Sequence, residues 1–69
     1  MTIFGKTLLF LREKDHVTKE TLAEAVGMPL SMIENLESGY IEPDAETATK
    51  IAKYFGVTAG YMRGSAGVY

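Results

Sequence analysis

Between Lys19 and Ser38 the chain spaces its apolar and small residues at intervals that few structures satisfy. Counting from Lys19, an apolar residue stands fourth (Leu22) and a small one fifth (Ala23). An apolar residue stands eighth (Val26), glycine ninth (Gly27) and an apolar residue tenth (Met28). Two more follow at the fifteenth and eighteenth places, Ile33 and Leu36. Leu22, Ala23 and Val26 share one face of a helix predicted over about Lys19–Val26. Gly27 falls where a left-handed residue stops a helix. Met28 then points back to the core. Pro29 suits the first turn of a third helix, where a missing N–H costs nothing. Ile33 and Leu36 are that helix's buried residues, and Ala23 lets the two helices approach closely where they cross. This is a helix-turn-helix arrangement, which presents its second helix on an outer surface.

The rest of the chain reads as helix too. Phe4, Leu8 and Leu11 recur at i, i+4 and i+7, on one face of a first helix. Ile3 and Phe10 flank that stripe, Leu9 points well away from it, and Asp15 and His16 end the helix. Thr18 is a candidate N-cap for the second helix. Ser38-Gly39 stops the third, and Tyr40–Pro43 is a loop. Asp44 caps a fourth helix with Ala45, Ala48, Ile51, Ala52 and Phe55 inward, and Gly56 ends it. Val57 and Thr58 lead into a short fifth helix containing Tyr61 and Met62, closed by Gly64. With no strand alternation and no internal repeat, the expectation is an all-α fold of five short helices. At 69 residues the chain has room for one domain. Residues 1–64 are assigned to it and 65–69 to a short tail.

Composition removes most chemistries. There is no cysteine, and His16 is the one histidine. Disulfides, thiolate zinc sites and a cysteine nucleophile are excluded, and a metal would need a site built mostly of carboxylates. Glu20 and Glu24 lie one turn apart, but nothing desolvates them, and a solvated face is the expectation. No metal, cofactor or catalytic residue is assigned, and the chain is read as a binding module rather than an enzyme. No run of about 18 apolar residues exists, and no secretory signal is visible, so the expected address is the cytoplasm with no membrane partner.

With the flanking elements added, the sequence resembles the Cro/C1-type (phage-repressor-like, XRE) helix-turn-helix family over about residues 5–64. The resemblance rests on Leu8-x-x-Leu11-Arg12-Glu13, Thr18-Lys19-Glu20-Thr21-Leu22-Ala23 and Gly27. It continues through Ile33-Glu34-Asn35-Leu36-Glu37-Ser38-Gly39, Pro43, Ile51-Ala52-Lys53-x-Phe55-Gly56-Val57-Thr58 and Tyr61-Met62. It implies a lambda-repressor-like domain that binds double-stranded DNA sequence-specifically as a homodimer, with the third helix in the major groove. Small members are frequent in phages and prophages, and the implied regulator is repressor-like, acting by steric repression or by polymerase contact. The implied DNA-binding residues are Thr18, Lys19, Pro29, Leu30, Ser31, Met32, Asn35 and Tyr40. Asn35 can pair with adenine N6 and N7, and Leu30 can meet a thymine methyl. Lys19 is either a phosphate ligand or a solvated helix-start lysine. Tyr40 either bonds a phosphate or packs its ring over the loop. Arg12 and Glu37 are expected to form a structural ion pair. Tyr54, Tyr61, Val68 and Tyr69 form either a dimer surface or, at the end of the chain, a frayed tail.

Charge runs against the likeness. Net charge is −2. Residues 20–49 hold Glu20, Glu24, Glu34, Glu37, Glu42, Asp44 and Glu46 with no Lys or Arg. The loop Tyr40-Ile41-Glu42-Pro43-Asp44 is acidic where the family usually carries Lys or Arg. Non-specific DNA binding comes almost wholly from neutralised phosphates, so binding is expected to be weak and salt-sensitive. The alternative is a helix-turn-helix fold that binds another regulatory protein through Leu30, Met32 and the acidic loop.

Overall fold

A computed structural model describes residues 2–64; Met1, and the proposed tail at 65–69 with Val68 and Tyr69, lie outside the described residues. Among the described residues the chain forms five helices and no strand: α1 (Ile3–Lys14), α2 (Lys19–Val26), α3 (Leu30–Ser38), α4 (Ala45–Phe55) and α5 (Ala59–Met62). The all-α expectation is met.

Short polar side chains start four of these helices. The Thr2 hydroxyl accepts from the Gly5 N–H at 2.9 Å, and Thr18 accepts from Thr21 at 3.0 Å. The Asp44 carboxylate accepts from Thr47 at 2.8 Å, and Thr58 accepts from Tyr61 at 3.0 Å. Each satisfies an N–H that the helix itself leaves without a partner. The turn between α2 and α3 depends on Gly27, whose φ of 71° lies in the left-handed region. That geometry lets the Met28 N–H reach back to the Ala23 carbonyl at 2.9 Å, closing α2 as a Schellman motif. The end of α1 uses the same closure with His16 in the left-handed place, at φ 57°, and Val17 N–H donating to the Arg12 carbonyl at 2.8 Å.

The helices meet in a ring. α1 packs on α3, α3 on α2, α2 on α4, α4 on α5 and α5 on α1. Each element contributes to the enclosed core: Phe4, Leu8 and Leu11 from α1; Leu22 and Ala23 from α2; Ile33 and Leu36 from α3. Ala48, Ile51 and Ala52 come from α4 and Met62 from α5. α1 approaches the end of α3 closely at Gly5. A Cβ there would stand 2.6 Å from the Leu36 carbonyl oxygen and 2.7 Å from that of Glu37. Gly5 is buried in the first turn of α1. Its absence of a side chain sets how closely α3 docks.

Three details of the sequence reading change. Pro29 is not in the first turn of α3 but is its N-cap, at ψ 149°. Its carbonyl accepts from the N–H groups of Met32 at 3.0 Å and Ile33 at 3.4 Å, so the helix begins one residue later. Ala45 is exposed rather than inward. It is the first residue of α4, and the buried stripe begins one turn further on, at Ala48. Leu9 is half-buried, while Ile3 and Phe10 are the exposed apolar residues of α1 at 58% and 55%.

Candidate nucleic-acid interface

The outer side of α3 follows from the 100° step of the helix. Ile33, Leu36 and Glu37 face inward. Ser31, Glu34 and Ser38, at i, i+3 and i+7, are the exposed ridge. Leu30, Met32 and Asn35 flank it, half-buried. Met32 therefore differs from its expected outward place. It sits one turn before Leu36 and packs against the core, as an i, i+4 pair on one helix face does. Pro29 is exposed at the start of the helix.

Not all of the polar groups are available to a ligand. The Ser38 hydroxyl donates to the Asn35 carbonyl at 3.1 Å and accepts from the Tyr40 N–H at 3.4 Å. That carbonyl also takes the Tyr40 N–H at 3.0 Å. Ser38 is thus occupied in closing α3, and Ser31, Glu34 and the Asn35 amide remain as the polar side chains of the outer face. α3 is also the helix whose N-cap makes no side-chain bond.

At the start of α2, the Thr18 hydroxyl accepts from Thr21 N–H and donates to the Thr21 hydroxyl at 2.9 Å. Its side chain is used for capping. The N–H groups of Lys19 and Glu20 precede the first intrahelical bond and point out of the helix end. Lys19 itself is half-buried. Tyr40 is 84% exposed. Its ring stands clear of the loop, which removes the packing alternative. Lys14, beside the same turn, pairs with Asp15 at 3.7 Å in solvent.

What holds these pieces together is the Arg12–Glu37 pair. Arg12 Nε donates to Glu37 Oε2 at 2.5 Å and Nη2 donates to Oε1 at 3.2 Å. Nη1 donates to the Val17 carbonyl at 3.0 Å. The side chains are only 13% and 9% exposed. This is a bidentate, charge-assisted contact in a largely dry setting. The hydrogen bond to Glu37 raises the Arg12 pKa above its already high ordinary value, so the guanidinium stays charged. One side chain ties α1, the turn before α2 and the C-terminal half of α3 into one geometry.

The residues expected at a dimer surface do not act alike. Tyr54 is 40% exposed and meets Phe55 edge-on at 5.0 Å between ring centroids. Tyr61 is half-buried and packs against the core. Among the described residues no group of three or more His, Asp or Glu is placed to hold a metal, and no helix is long and apolar enough to cross a membrane.

Two packed helices about a left-handed glycine, with the second one's polar ridge outward, define a helix-turn-helix domain. A helix-turn-helix family model matches residues 8–62. The chain belongs to this Cro/C1-type helix-turn-helix (XRE) family, a family of DNA-binding transcription regulators. No curated protein matches it.

Proposed function

We propose that this chain is a small sequence-specific DNA-binding regulator, repressor-like in action, that lays α3 in the major groove as one half of a homodimer. The observation that carries this reading is the outer face of α3. It is a polar ridge on a helix whose position is fixed by a buried ion pair, with the open start of α2 beside it. Ser31 and Asn35 read base edges, and Pro29 and Leu30 lie against them. Thr18 shapes the α2 start, where backbone N–H groups and Lys19 meet a phosphate. Tyr40 reaches a second phosphate from the far end of α3. Met32 supports this surface from below. Residues 1–64 act as the DNA-binding domain and 65–69 as a tail. Tyr54, with Tyr61, Val68 and Tyr69, supplies the dimer contact. Two copies then address half-sites about 34–36 Å apart. Such a regulator works in the cytoplasm and needs no cofactor.

The test is a fluorescence titration of a mixed-sequence duplex at several salt concentrations. Two to four neutralised phosphates give a slope of log K against log salt of about −2 to −4. A complex with DNA that cannot be formed at low salt, beside a salt-insensitive complex with another regulator, favours the protein-docking alternative instead.

A further inference from the structure

The most exposed charged group on α3 is one that the DNA reading does not explain. Glu34 sits in the middle of the outer ridge, one turn from Ser31 and beside Asn35. Among the described residues it has no ion-pair or hydrogen-bond partner. No cation on its own helix balances it, because α3 carries no Lys or Arg. A carboxylate so placed faces phosphates at a cost unless it accepts a hydrogen bond from something in the groove. The base edges offer few such donors. Guanine presents O6 and N7, and thymine O4, all acceptors that repel a carboxylate. Adenine sets its N6 donor beside the N7 acceptor, whereas cytosine offers the N4 amino group without a neighbouring acceptor on the same base.

We propose that Glu34 is a base-reading residue that selects cytosine by accepting a hydrogen bond from its N4 amino group. The inference rests on the reading of α3 as the groove-bound helix and adds a specificity to it. It accounts for an unpaired acid at the centre of the face that would lie in the groove. It also gives the chain a way to discriminate that does not use arginine: the carboxylate lowers affinity for all DNA and is repaid at one base. The sequence sought therefore carries a cytosine in each half-site, next to the base read by Asn35.

The experiment is selection from a random-sequence duplex library at low salt, run with the wild-type chain, Glu34→Gln and Glu34→Ala. Glu34 is exposed and unpaired, so both variants keep the fold, checked by circular dichroism. The wild type enriches cytosine at one position per half-site, favoured by roughly tenfold or more over the other bases. Glu34→Gln moves that position to adenine, which a glutamine amide pairs at N6 and N7. Glu34→Ala loses the preference there and keeps the others. Both variants also bind duplexes that lack this cytosine more tightly than wild type does. If Glu34→Gln enriches the wild-type motif unchanged, the inference is overturned and the DNA reading stands. A wild-type chain that enriches no sequence at all overturns the DNA reading, and this inference with it.

Discussion

At the residue scale, Arg12 and Gly5 carry more than their share of the fold. Arg12→Ala leaves Glu37 buried without its partner, which costs about 3 kcal/mol. For a domain of this size that is a large fraction of the total. Replacing both residues by apolar ones of similar volume, Arg12→Met with Glu37→Leu, recovers most of the loss. Chemical denaturation of the three variants checks this, and a double variant as unstable as Arg12→Ala would contradict it. Gly5→Ala makes the opposite case. Alanine is the better helix former by about 1 kcal/mol, yet its Cβ would overlap two backbone carbonyls of α3. Backbone cannot rotate aside as a side chain does, so the variant is less stable than wild type. A higher melting temperature for Gly5→Ala would show that α1 and α3 have slack at their crossing.

These two residues also mark what a sequence makes visible. The caps Thr18 and Asp44 and the stops Gly27 and Gly56 were legible because their roles are local: each acts on its own or a neighbouring turn. Gly5 was not. Its reason is a contact with residues more than thirty positions away, and a glycine beside an apolar stripe has no local signature. The period of Met32 fits both the flank of the outer face and the rim of the core, and only the packing of α3 on the other helices decides between them.

At the element scale, α4 shows how a cap enters pH dependence. Asp44 accepts from the Thr47 N–H, and that bond, with the Thr47 side chain and the nearby Lys50 and Arg63, lowers its pKa below the ordinary value. A carboxylate whose folded pKa is depressed contributes stability above its unfolded value, near pH 4, and loses it as pH falls through the folded value. Melting temperature measured from pH 5 to pH 2 should therefore fall less steeply for Asp44→Asn, which keeps a capping oxygen but cannot titrate. Equal slopes for the two chains would mean that other groups dominate acid unfolding. Helix α3 is held differently. It has no side-chain cap and depends on its neighbours, through Gly5 and Glu37, for its place.

At the scale of the whole molecule, the fold and the charge pattern pull in different directions. The helix-turn-helix fold belongs to a DNA-binding family, while residues 20–49, which include α3, hold seven acids and no Lys or Arg. Fold class was readable because it depends on apolar spacing, which the chain repeats in every element. The interface was readable only in outline, since exposure along α3 depends on how deeply the helix is seated. Charge reversal at Glu42, an exposed residue of the loop after α3, tests the balance. Glu42→Lys should strengthen binding to every duplex and steepen the salt slope by about 1. No change in slope would place that loop away from the phosphates.

The most direct test of the central claim is an NMR titration of isotopically labelled protein with a mixed-sequence duplex at low salt. The expected shifts concentrate at Thr18–Lys19, Leu30–Asn35 and Tyr40 and fade as salt is added, with α4 little affected. Absence of shifts at low salt, or shifts confined to the Lys50, Lys53 and Tyr54 side of the molecule, would contradict it.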